Sequence, residues 1–154
     1  MKRRGLLLGA VAVAALTFTA VAVAAVNFHN VTFTDNGTTL TVSGKLSGLG
    51  NADVTINLSA AATPTATCTN KGGTQAPGQN PATVDVTGSQ AIPASEIKNG
   101  QTPFSVTTQE PAQPSARAAG CPNGNWTAEI TDLAFTSFTV TVIQNNTVVA
   151  TYNG

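Results

Sequence analysis

Between residues 54 and 68 the chain alternates without a fault. Val54, Ile56, Leu58, Ala60, Ala62, Pro64, Ala66 and Cys68 hold the even positions, and Thr55, Asn57, Ser59, Ala61, Thr63, Thr65 and Thr67 the odd ones. A period of two with small or apolar residues on one side predicts a strand with one buried face and one wet face. Pro64 has no N–H to give to a ladder, so the pattern predicts a bulge, a break or an edge position there.

The rest of the chain reads in shorter pieces of the same kind. Val31 and Phe33 point one way in a first strand over residues 28–34, and Asp35-Asn36-Gly37 supplies the positive-φ residues of a hairpin turn. Leu40, Val42 and Leu46 line the returning strand, with Gly44 where a leucine is expected, and Gly48-Leu49-Gly50-Asn51 turns the chain into the long alternating stretch. Residues 70–81 have no periodicity and read as a loop. Val84 and Val86 open a strand toward Ile92, residues 93–97 have room for one helical turn before Asn99-Gly100, and Phe104 and Val106 mark the next strand.

A second loop runs over residues 109–125, within which Ser115 can cap a short helix that stops at Gly120. Trp126, Ala128 and Ile130 then alternate, but the parity changes at Leu133 and Phe135 and again at Phe138, Val140 and Val142. Each change requires an irregularity, so a bulge is expected near Thr131 and Asp132 and a tight corner at Thr136 and Ser137. Asn145-Asn146 closes a last hairpin into Val148 and Tyr152. Seven to nine short strands with almost no helix predict an all-β fold. Its form would be a two-layer antiparallel sandwich that resembles the immunoglobulin fold in architecture.

The N-terminal segment reads as an address. Lys2, Arg3 and Arg4 precede an uncharged run rich in Leu, Ala and Val, and Ala22-Val23-Ala24 closes it with a small-x-small pattern. Residues 1–25 are therefore expected to be a signal peptide and residues 26–154 a single domain, secreted to the extracellular side. The run is also long enough to span a bilayer, so an uncleaved N-terminal anchor is the alternative and the one route to a membrane. Arg3-Arg4 partly matches a twin-arginine signal, but Lys2 stands where Ser or Thr is expected. Without residues 1–25 the basic residues are Lys45, Lys71, Lys98 and Arg117, against Asp35, Asp53, Asp85, Glu96, Glu110, Glu129 and Asp132, a net charge of −3. Charges so few and so scattered form no basic patch for nucleic acid.

Export turns the two cysteines into an expected Cys68–Cys121 disulfide, with free thiols as the alternative. The pairing is unlike that of an antibody domain, because Cys121 lies in a loop five residues before Trp126. Around the cysteines Cys68-Thr69-Asn70, Gly72-Gly73, Pro77-Gly78-Gln79-Asn80-Pro81, Gly120-Cys121-Pro122-Asn123 and Asn125-Trp126 form a pattern. It resembles a group of small exported bacterial β-sandwich proteins with no assigned function. These are turn residues, so the resemblance implies a scaffold and carries over no functional residue.

Catalytic and metal chemistry find few residues. His29 is the single histidine, and it falls in a strand pattern, which argues against a Ser-His-Asp or Cys-His site. One histidine and two bridged cysteines cannot furnish a zinc or copper site, and the oxygens of Asp35-Asn36-Gly37 are explained by a turn before they suggest calcium. Glu129 and Asp132 would face opposite sides of a regular strand and could meet as a carboxylate pair only through the bulge. Lys71-Gly72-Gly73-Thr74 lacks P-loop spacing. No enzyme and no cofactor is expected.

The expected function is a non-catalytic binding or adhesion module. Its partner would be a glycan, a cell-wall polymer or a protein, met through loops gathered at the disulfide end. The candidate binding residues are Asn70, Lys71, Gln75, Gln79, Asn80, Asn123, Asn125 and Trp126: amides beside one aromatic ring, chemistry suited to a sugar or a peptide backbone. The alternatives are a structural surface protein assembling through its strand edges and a secreted enzyme inhibitor.

Overall fold

A computed structural model describes residues 25–79 and 81–154; the expected signal peptide, apart from Ala25, lies outside them. Among the described residues eight strands follow one another: β1 (Asn27–Asp35), β2 (Leu40–Ser47), β3 (Val54–Thr69), β4 (Gln75–Pro77), β5 (Val84–Ile92), β6 (Thr102–Thr107), β7 (Thr127–Gln144) and β8 (Thr147–Asn153). The helical turn expected after Pro93 is a single 3-10 turn, Ala94–Glu96.

The pairing is antiparallel throughout and makes two sheets. One has the order β1-β2-β6; the other has the order β4-β3-β7-β8, with β5 on the same edge of β3 as β4. In immunoglobulin terms β1, β2 and β6 take the places of strands A, B and E, and β3, β7 and β8 those of C, F and G. β5 lies beside C, as the extra strand of a variable-type sheet does. The fold is a two-layer, immunoglobulin-like sandwich.

β3 is the predicted strand in full. Every even residue from Val54 to Cys68 is buried and every odd one is half-buried or exposed. Those from Val54 to Ala62 meet Leu40, Val42, Leu46, Phe104 and Val106 of the smaller sheet to form one core. Pro64 neither breaks nor bulges the strand. β5 pairs β3 up to Ala62 and β4 pairs it from Thr67, so Pro64 falls in the interval where that edge makes no ladder. The irregularities lie across the sheet on β7. The register slips once where Thr65 and Ala66 face Asp132 and Ile130, the bulge expected near Thr131, and once where Ala61 and Ala62 face Ser137 and Phe135. The expected corner at Thr136 is thus a second bulge inside one continuous strand.

The two lateral sides of the sandwich are closed differently. On one side β5 meets β6 and the residues just after it: Gln109 N–H donates to the Thr87 carbonyl (2.8 Å), and Ser105 N–H to the side-chain Oε1 of Gln90 (3.0 Å). Gly88 makes this approach possible, since a Cβ there would collide with the Thr107 carbonyl. On the other side no strand among the described residues joins β1 to β8, and aromatic rings fill the gap. Phe28 packs on Phe104 (5.9 Å) and Tyr152 (5.5 Å), Tyr152 on Phe138 (6.1 Å), and Phe138 on Phe33 (5.7 Å). Phe33 ends this row with 67% of its surface exposed. Its periodicity is that of a core residue, but inward-facing residues of an edge strand look out of the side of the sandwich. Gly44 is small for a related reason: the Phe104 ring lies over it, and a Cβ would come within 2.9 Å of Cε1.

Candidate functional site

The disulfide is formed. Cys68, fully buried at the end of β3, joins Cys121 with 5.7 Å between Cα atoms. It ties the end of β3 to the chain that leads into β7. Beneath it lies a small separate cluster of Ala66, Ala119 and Ala128, packed against Cys121. No large apolar side chain belongs to this cluster.

The expected helix after Ser115 is one closed turn. Ser115 Oγ accepts from Ala118 N–H (3.2 Å), as an N-cap does, and its carbonyl accepts from Ala119 N–H (3.0 Å). Three residues on, Gly120 N–H donates to the Arg117 carbonyl (3.1 Å) and Cys121 N–H to the Ala116 carbonyl (2.8 Å). That is a Schellman closure with Gly120 in its left-handed position, φ +69°. Start and stop signals stand so close that no helix fits between them. The turn presents Cys121 to Cys68 and lays its backbone against the first loop, where Gln79 N–H donates to the Gly120 carbonyl (3.4 Å); beside it Gly78 N–H ties that loop to the Ala66 carbonyl of β3 (2.8 Å). Gly120→Ala would meet a strained φ and the Gln79 carbonyl together. We expect it to cost more than the roughly 1 kcal/mol of an Ala at positive φ alone, measured as a lower denaturation midpoint. Gly124→Ala, with nothing within 4 Å, is expected to change little.

The first loop is more ordered than its sequence. It holds β4, three residues paired with Thr67, Cys68 and Thr69, and a tight tip at residues 70–74. A strand of three residues is too short to display a period. The tip is built by Asn70, whose Oδ1 accepts from Gly72 N–H and Thr74 N–H (both 2.9 Å) while Gly73 takes φ +81°.

These contacts divide the candidate residues. The acceptor oxygens of Asn70 and Asn123 are engaged inside their own turns, the latter with Asn125 N–H (3.0 Å). Gln79 Nε2 reaches back to the Pro77 carbonyl (3.4 Å). Lys71, Gln75 and Asn125 are exposed and Trp126 is half-buried at the start of β7; Asn80 is not among the described residues. Disulfide, β4 and turn thus bring the two loops to one end, as the pairing of Cys68 with Cys121 implies, but part of the amide supply is structural.

The residues weighed for chemistry stand apart. His29 is exposed on β1, its Nε2 2.7 Å from Ser47 Oγ. Glu129 and Asp132 are both exposed, since the bulge at Thr131 turns Asp132 to the same outer face as Glu129. Among the described residues no group of three or more His, Cys, Asp and Glu could hold a metal ion. Asp35 Oδ1 accepts from Gly37 N–H (2.8 Å), and of the three residues Asp35, Asn36 and Gly37 only Gly37 has a positive φ, +88°.

Sequence reasoning missed Gln144. Its buried amide closes the opposite end of the sandwich, accepting from Gly50 N–H (3.0 Å) and donating to the carbonyls of Gly50 (3.1 Å) and Ala52 (2.7 Å). The signal was its place in the inward row after Val140 and Val142.

No family model and no curated protein matches the chain. Among solved structures, a β-glucuronidase from glycoside hydrolase family 2 aligns over 84% of this chain with 14% identity and a TM-score of 0.30. The chain spans about 11% of the length of that protein. Among the described residues no helix is long and apolar enough to cross a membrane.

Proposed function

We propose that this chain is an exported, non-catalytic binding module that works through the loops at its disulfide end. One observation carries the reading: the two loops form a single braced body. The Cys68–Cys121 bond, the Gln79–Gly120 hydrogen bond and the turn closed at Gly120 hold them together. Groups fixed in advance lose little conformational freedom when a partner arrives. What this body presents is Lys71, Gln75, Asn125 and the edge of Trp126, a neutral hydrogen-bonding surface with one cation. Such a surface suits a glycan, a wall polymer or an extended peptide.

Binding is favoured over catalysis because the single histidine lies on an edge strand, away from the disulfide end. Export is favoured by the basic and apolar N-terminal segment together with a formed disulfide. The test replaces Lys71, Gln75 and Asn125 together by Ala and measures retention on isolated envelope polymers and envelope proteins. Asn123 is left in place because its side chain builds the turn. At least a tenfold loss of retention, with an unchanged denaturation midpoint, is expected. A triple variant that binds as well as the parent would sink the loop-end site.

A further inference from the structure

An unpaired strand edge invites another strand, and folded β proteins block such edges with charge, proline, bulges or cover. Here nearly every edge is blocked. β5 and β6 cover one another along the closed side. β4 has three residues. Where β7 runs on beyond β8, Ile130 N–H is taken by Gln113 Oε1 (2.6 Å) and Leu133 N–H by the Gly37 carbonyl (2.9 Å). β1 is kinked at Asn30, φ +50°, and carries His29 and Asp35.

β8 is the exception. Its seven residues, Thr-Val-Val-Ala-Thr-Tyr-Asn, include no charge and no proline, and among the described residues no strand pairs its outer side. One bulge sits at Val149, where the register with β7 slips. Beyond it the strand runs regularly through Asn153. Gly154 extends it, exchanging both hydrogen bonds with Phe138 (2.9 and 3.0 Å). Hydrogen-bonded pairs alternate along an antiparallel ladder. Since the N–H and C=O of Gly154 point to β7, so do those of Tyr152 and Ala150, and beyond the bulge the outward N–H and C=O groups belong to Thr151 and Asn153.

We propose that this edge is a homotypic interface at which β8 pairs antiparallel with β8 of a second copy, on a two-fold axis at Thr151. Three features favour a second copy over an unrelated strand. Centred on Thr151, the regular stretch of the strand is self-complementary: the outward groups of Thr151 meet those of Thr151 of the second copy. Ala150 lies opposite Tyr152 of the second copy, small against large. β8 brings no charged side chain into the pairing, whereas β1 would bring His29 and Asp35. The contact is isologous and closes on itself, so it yields a dimer with one continuous sheet and not a fibre.

Sedimentation velocity on the protein purified from an exporting host, from low-micromolar to near-millimolar concentration, tests this. The parent is expected to form dimers. Thr151→Pro removes an N–H that points away from β7; it is expected to weaken dimerisation at least tenfold while leaving the far-UV spectrum unchanged. Thr151→Cys places two thiols opposite each other in a hydrogen-bonded pair, a separation that a disulfide accommodates. Under mild oxidation it is expected to give a covalent dimer faster than Ser95→Cys, on the side of the sandwich closed by β5 and β6. The cysteine pair decides the matter even if the proline variant does not fold. The proposal is overturned by a parent that stays monomeric throughout, or by one that forms open polymers. A dimer that survives Thr151→Pro, or equal cross-linking by the two cysteine variants, overturns it as well.

Discussion

Leu58→Asp is expected to unfold the domain, and Asn57→Asp to leave it almost untouched. The two residues are neighbours, and the pleat of β3 sends them to opposite faces. Leu58 has 1% of its surface exposed and sits where β5, β3 and β7 run side by side, paired with Gly88 and Val140. A carboxylate there has no cation or donor placed to meet it. Its burial adds to the loss of the leucine's own packing, which alone amounts to about 2–5 kcal/mol. Together these effects approach the whole stability of an ordinary domain, about 5–15 kcal/mol. Asn57 lies on the outer face, where its Oδ1 accepts from Ser89 Oγ (2.9 Å). A carboxylate accepts that bond equally well, so the change should stay within about 0.5 kcal/mol. Far-UV circular dichroism and a urea titration separate the outcomes; equal effects at the two positions would refute the register of β3.

Loss of the disulfide is expected to have the second largest effect. Cys68 and Cys121 are 53 positions apart, a loop for which the chain-entropy account gives roughly 4 kcal/mol. The local packing makes the bond harder to replace, because the cluster around it is three alanines. Cys68→Ser should lower the denaturation midpoint without greatly changing the slope. The double variant Cys68→Ser/Cys121→Ser should be little worse than either single one, since one bond is lost in each case. Intact mass after alkylation without reductant provides the check, with no adduct expected on the parent.

The sequence was most legible where one residue type had one structural use. Fifteen alternating residues predicted β3 to its last turn, and the parity change at Leu133 located a bulge. Ser115 and Gly120 mark both ends of a turn, although the segment between them is too short for the helix that the two signals predict. Legibility failed where a choice depends on a neighbour distant in the chain. Nothing local distinguishes Phe33 from a core residue, because its exposure follows from β1 being an edge. Pro64 is accommodated only because β5 and β4 leave a gap opposite it. The loop-end site was half legible: the two cysteines brought its segments together. That Asn70 and Asn123 hold their own turns is a matter of side-chain direction, which composition does not encode.

The separation of the small alanine cluster from the main core also bears on how the molecule can be watched. The chain has one tryptophan and one tyrosine. Trp126 stands beside the disulfide end, and Tyr152 lies in the row of rings that closes the side between β1 and β8. The native chain therefore carries two intrinsic fluorophores, each assigned to one structural neighbourhood. Emission excited at the red edge, where tyrosine is dark, follows the loops alone, while tyrosine emission follows the seam between the sheets. Adding reductant to the unmodified protein would show, from the order in which the two signals change, whether the braced loops come loose before the sandwich opens.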